Sequence, residues 1–162
     1  MLKHKYLLTI LTYDPITGTF TWARPRPKIR VGAVAGYIKK NKGYRYIEID
    51  GRAYSAHRLA WFYMRKKWPR KQIDHRDRDR ANNRFSNLRE ATHGQNRANS
   101  KTTNKHGLKG IRYHAWLKEN PWEAQIKRDG KVRSLGCYPT KEEAHQAYCV
   151  AAVELHGDFA HV

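Results

Sequence analysis

The sequence predicts an α+β fold in two small parts. Three observations predict it: alternation of apolar and polar residues on both sides of Asp50-Gly51, a dense apolar run at HRLAWFYM, and an alanine-rich helical face near the C-terminus that follows a second alternating stretch. A chain of 162 residues has room for one ordinary domain or two small ones with modest cores, which leaves little space for a large substrate pocket.

The elements follow in order. MLKHKYLLTILTYDP has a short, polar-interrupted apolar stretch and no small-residue cleavage site, so it is expected to belong to the fold rather than to a signal peptide. YDPITGTFTW places Asp-Pro and Thr-Gly ahead of alternating Thr and aromatic residues, a turn leading into a strand, and ARPRPKIRVG then breaks regularity. GYRYIEIDGRAYSAH predicts a two-stranded ribbon turning at Asp50-Gly51. From Ser55, the run with Leu59, Ala60, Phe62, Tyr63 and Met64 predicts a buried helix that stops near Trp68, ahead of Pro69. In residues 71 to 91, KQIDH and NLREA read as short strand ends around a polar, arginine-rich loop. Thr92 can cap a helix over HGQNRANS, and SKTTNKHG has no apolar periodicity, which predicts a linker and a boundary near residue 101. Beyond it lie a strand (KGIRYHAW), a hairpin turning at Asp129-Gly130 and a helix with a Thr140/Glu143 capping box. That helix carries Ala144, Ala147, Tyr148, Ala151, Ala152 and Leu155 on one face, where the sheet should pack.

Charge narrows the partner. Thirty-three Lys and Arg against fourteen Asp and Glu give +19, more than solubility requires, and point to a polyanion. Nucleic acid leads over an anionic membrane surface, because no apolar run reaches the ~18 to 20 residues of a spanning helix. Residues 134 to 162 reverse the balance, with one lysine against four acids, so this end should face away from the polymer. Cys137 and Cys149 alone support neither a disulfide framework nor a cysteine-ligated zinc site, and a reducing cytoplasm fits.

The stretch IDHRDRDRANNRFSNLREATHGQN resembles the ββα-metal core of phage HNH endonucleases, closely over about residues 57 to 99; YDPxTGxFTW, GYRYIEIDG and AHRLAW resemble the segments that precede that core. The resemblance implies Asp74 as metal ligand, His75 as general base, Asn87 as support for the loop and histidine, and Asn96 completing the metal site, where many members have histidine. The residue chemistry agrees, since a carboxylate and an amide oxygen suit one Mg2+ or Mn2+, and neutral imidazole can deprotonate water. Adjacent strand residues point to opposite faces, so Asp74 and His75 share a site only if the strand ends or twists at the loop beginning with Arg76. Arg76, Arg78, Arg80 and Arg84 are expected to clamp the DNA backbone. Asn82 and Asn83 read as loop formers and His57 as a helix-start or core histidine; His93, three residues before Asn96, shares its helical face.

Residues 106 to 160 resemble the APETALA-type DNA-binding domain of plant ethylene-response factors, through Gly110, Arg112, Trp122, Ala124, Leu135, Gly136, Tyr148 and His156-Gly157 among others. The resemblance implies a three-stranded antiparallel sheet lying in the major groove and packed on one C-terminal helix. Alternation sorts Ile111, Ala124, Ile126 and Val132 toward the helix, with Arg112, His114, Gln125, Lys127 and Arg133 outward; Lys109 joins them as a DNA contact. Trp122 is expected to be buried, and Trp116 to touch the DNA backbone.

The expected organisation is a nuclease domain at residues 1–100, a linker at 101–107 and a DNA-binding domain at 108–162. The expected function is metal-dependent cleavage of double-stranded DNA by a site-selective, phage homing-type nickase, a monomer or a transient dimer on DNA, in the cytoplasm of the host cell if phage-encoded. The alternative is a regulator that binds DNA on a retained HNH scaffold; a basic RNA-binding protein would explain the charge but not the spacing.

Overall fold

The computed structural model describes residues 2–101, 104–128 and 130–161. It is an α+β arrangement of small antiparallel sheets and, among the described residues, four helices. Internal contacts divide the chain into two compact units, Met1–Ala91 and Thr92–Val162.

The first unit begins with helix α1 (His4–Ile10), which has no side-chain cap and no acidic first turn. Packing sustains it instead: Leu7 is fully buried, and the His4 ring lies edge-on to Phe62 with Nε2 2.9 Å from the Tyr63 carbonyl. Strands β1 (Leu11–Asp14) and β2 (Thr19–Trp22) form a hairpin, of which the sequence pattern marked the turn and the second strand. The Asp50-Gly51 ribbon is also present, as β4 (Arg45–Ile49) and β5 (Arg52–Ser55), with both turn residues at positive φ as a two-residue hairpin turn requires. A short strand β3 (Tyr37–Ile38), which the broken pattern of that region hides, adds to its edge. Helix α2 (Ala56–Arg65) buries Ala56, His57, Leu59, Ala60 and Phe62. It ends three residues before the expected stop, because Lys66 turns left-handed at φ 59° and Trp68 folds back to stack on Phe62 at 4.3 Å. Strands β6 (Gln72–His75) and β7 (Leu88–Ala91) then pair antiparallel, and the arginine-rich loop between them closes on a 3-10 turn at Phe85–Asn87.

The second unit opens with α3 (His93–Asn99), where Thr92 and Gln95 form a full capping box. Strands β8 (Ile111–Tyr113), β9 (Trp122–Arg128) and β10 (Lys131–Tyr138) form an antiparallel sheet in the order β10-β9-β8, backed by α4 (Lys141–His156). Ile111, Ala124, Ile126, Ala144, Tyr148 and Ala152 make its core. Gly110 sits at φ +73°, and a Cβ there would lie 1.9 Å from the Tyr148 ring, so only glycine lets the strand start so close to the helix. Thr140 Oγ1 accepts from the Glu143 amide, as the capping pattern predicts. The Asp129 half of the expected hairpin turn lies outside the described residues.

Register corrects one sorting of side chains. Val132 pairs with Lys127 and Arg133 with Ile126, and directly opposed residues share a face. Val132 is therefore outward and 61% exposed, while Arg133 shares the helix-side face at the open end of the sheet. Alternation within each strand is sound; the offset between strands is set by the turn, which a pattern read strand by strand does not fix. No helix among the described residues is long and apolar enough to cross a membrane.

Candidate active site

Three of the four principal residues sit together in the first unit. Asp74 and His75 end β6, both 4% exposed, and Asn87 closes the loop that returns to β7. The antiparallel register places Arg89 opposite Asp74 and Leu88 opposite His75, so Asp74 and His75 leave the ribbon on opposite faces. The pairing stays regular to His75, where the strand ends. Asn96 stands half-buried on α3, in the second unit, with His93 exposed on the same helix.

The loop from Arg76 to Phe85 is built on amide and carboxylate hydrogen bonds. Asn87 Nδ2 donates to Asp77 Oδ1 (2.9 Å) and to the Asn82 carbonyl (2.8 Å), while its Oδ1 accepts from the Asp77 amide (3.0 Å). Asn87 is thus spent on holding the loop. Asp77 in turn accepts from the Asp79 amide and the Asn82 side chain; burial works against its charge, and these hydrogen bonds still hold its carboxyl below the usual range. Of the four arginines, Arg76 and Arg84 are exposed, and Arg78 is half-buried at φ 65°. Arg80 donates to the Lys42 carbonyl and lies over the Tyr44 ring, tying the loop to the β3–β4 turn.

Two residues that the pattern treated as bystanders hold the site. Asn83, read as a loop former, is 1% exposed, with Oδ1 3.3 Å from His75 Nε2. Arg89 is 8% exposed and its Nε donates to Asp74 Oδ2 at 2.9 Å. Antiparallel pairing of KQIDH with NLREA would have signalled Arg89; no short-range pattern signals Asn83.

Burial lowers the His75 pKa, partly offset by the Asn83 hydrogen bond and by Asp77, Asp74 and Asp79, so the ring is neutral at neutral pH. Beside it, at 5.2 Å between centroids, lies His57, whose Nδ1 is buried without a hydrogen-bond partner. Burial, then His75 and Arg58, push the His57 pKa down to about 3. The unfolded chain takes up this proton near its ordinary pKa of about 6.5 and the folded chain does not, so stability falls as pH drops from there toward 3. At about pH 5 the cost is about 2 kcal/mol, and His57→Phe is expected to flatten this stretch of a urea-midpoint against pH curve.

In the second unit, the outward face carries Arg112, Gln125 and Lys127 as expected, with Arg112 opposite Glu123. His114 is buried: Nε2 lies 2.7 Å from Glu123 Oε2, and Trp116, 71% exposed, stands edge-on to its ring. Lys109 Nζ donates to the carbonyls of Arg97, Ala98 and Ser100, where it compensates the C-terminal end of α3. Trp122 packs in the core and against Tyr113, as expected.

A divalent ion would find few ligands here. Asp74 offers a buried carboxylate, whose Oδ2 already accepts from Arg89, and Asn96, the other expected ligand, lies on α3 in the second unit. Among the described residues no three His, Cys, Asp or Glu side chains converge on one point. A sparse oxygen set of this kind suits ions that keep several waters and take the rest from phosphate.

The segment that carries these residues resembles known proteins. Residues 54–98 match the family model described as HNH endonuclease. A protein of Acanthamoeba polyphaga mimivirus, described as an uncharacterized HNH endonuclease, is 39% identical over 88 residues, which are 54% of this chain and 44% of that protein. The chain therefore spans less than half of that relative's length. No solved structure matches the chain. Residues 54–98, which contain Asp74, His75, Asn83, Asn87, Arg89 and Asn96, are thus similar to a segment of HNH endonucleases.

Proposed function

We propose that the protein is a metal-dependent DNA endonuclease of the site-selective, homing-type nickase kind, with His75 as the base. The observation that carries this reading is a buried, neutral histidine held by a buried amide at the end of β6, inside the segment that matches the HNH model. Neutral imidazole can accept the proton of an attacking water, and Asp77, Asp74 and Asp79 ease the charge that the ring then acquires. Asp74, a buried carboxylate whose Oδ2 accepts from Arg89, is the residue this reading gives to the cation. Asn96 as a second ligand rests on the sequence pattern alone. A hard divalent cation, Mg2+ or Mn2+, supplies charge neutralisation at the phosphate and the departing oxygen when bound. Arg76 and Arg84 are exposed and, in this reading, meet phosphates, while Arg80 stiffens the loop that carries them.

The second unit, in this proposal, is an APETALA-type reader that lays its sheet in the major groove of duplex DNA. Support comes from the three-stranded sheet backed by one helix and from Arg112, Gln125 and Lys127 on the outward face. Arg112→Ala is expected to weaken specific binding by about 1 to 3 kcal/mol and relax preference at one base position, measured by competition among randomised sites. His114 and Lys109 are already engaged within the unit and contribute less to recognition; Arg133 reaches DNA only past the sheet's end.

The deciding test is relaxation of supercoiled plasmid by pure protein with Mg2+ or Mn2+, beside a chelator control. Metal-dependent open circles support the nickase; tight binding without any strand breakage establishes the alternative, a regulator that keeps the scaffold for binding alone.

A further inference from the structure

We propose that Asn83 is the positioning residue of the base: it holds His75 in the Nε2–H form, so that Nδ1 is the nitrogen that takes the proton. The inference rests on the nuclease reading and adds the atom and the device.

A fully buried amide needs partners for both its ends, and those of Asn83 define its orientation. Nδ2 donates to the Ala81 carbonyl at 2.9 Å, which turns Oδ1 toward His75 Nε2 at 3.3 Å. An amide oxygen only accepts, so the facing ring nitrogen must carry the hydrogen. A neutral imidazole has one such hydrogen, which leaves the lone pair on Nδ1.

The first hairpin holds Asn83 in turn. The buried Tyr13 hydroxyl donates to the Asn83 carbonyl at 2.7 Å, and the Phe85 amide donates to the Pro15 carbonyl at 3.0 Å. Gly18 closes the grip: at φ +75°, a Cβ there would lie 2.4 Å from the Asn83 carbonyl carbon and 2.3 Å from the Arg84 amide nitrogen. Residues some 65 to 70 positions upstream thus fix the backbone that aims the amide. This accounts for a turn with Thr-Gly at its end: glycine lets the turn lie directly against the loop that faces the base.

Histidine-selective 15N labelling of the full chain, without added metal and at mildly alkaline pH, reads the tautomer directly; the His75 resonances are identified by their loss in His75→Gln. The expected result is an Nε2–H ring. Asn83→Leu should give mixed tautomers and lower kcat on the order of 10- to 100-fold with DNA affinity unchanged, as loss of an orienting partner does. Asn83→Asp keeps an acceptor toward Nε2 but loses the donor to the Ala81 carbonyl, so it should restore the Nε2–H form and only part of the rate. An Nδ1–H ring in the parent protein, or a tautomer indifferent to Asn83→Leu, overturns the proposal; the parent spectrum decides even where a variant fails to fold. An Nε2–H ring in a protein that does not cleave DNA would instead sink the nuclease reading and leave Asn83 as the holder of the ring.

Discussion

His75→Ala is expected to reduce metal-dependent plasmid relaxation by roughly 10²- to 10⁴-fold, about 3 to 5 kcal/mol of barrier, while duplex affinity stays near that of the parent. The size follows from what the side chain does. In the proposed reading it is the base, and burial favours its neutral form, so no deprotonation has to precede its use. Affinity should persist because His75 is 4% exposed and uncharged, whereas the groups proposed to meet phosphates are the exposed arginines of the loop and the outward face of the second unit's sheet. The measurement is the initial rate of open-circle formation at saturating protein, paired with an electrophoretic shift of the same DNA. A rate indifferent to the substitution would move the chemistry to another residue, whatever the family match.

Much of this site was legible because its parts are local. Strands at KQIDH and NLREA, the Thr92 cap and the Asp50-Gly51 turn are each set by neighbours within a few residues, and each is where the pattern placed it. What the pattern could not supply depends on distant partners. Asn83 sits in a polar loop, where asparagine ordinarily serves the turn; its burial comes from Tyr13 and Gly18 on a different hairpin. Helix α1 has no capping signal and exists because Leu7 and Ile10 find the α2 side of the core. Arg133 changed faces because β9 and β10 are offset by their turn, with a further shift where Leu135 bulges inward to the core between Ser134 and Gly136. Asn87 holds the loop through Asp77 and Asn82, and Asn83 is a side-chain partner of the histidine.

Arg89→Leu is expected to destabilise the first unit by about 3 to 5 kcal/mol, a large fraction of a small domain's stability. Arg89 and Asp74 face each other across β6 and β7, nine-tenths or more buried, with Nε 2.9 Å from Oδ2. Removing the guanidinium withdraws a counter-charge from a carboxylate that water does not reach, and leucine offers nothing in return. The ion pair as a whole is worth far less than that, because desolvating two charges offsets most of their attraction. Asp74→Asn combined with Arg89→Leu should therefore recover at least half of the loss, since no buried charge remains to be neutralised. The two variants should also part company in function. The double variant regains stability yet stays inactive if Asp74 is the residue that holds the cation, whereas restored cleavage would remove Asp74 from the chemistry and leave it a structural partner of Arg89. Urea midpoints give the first comparison and plasmid relaxation the second.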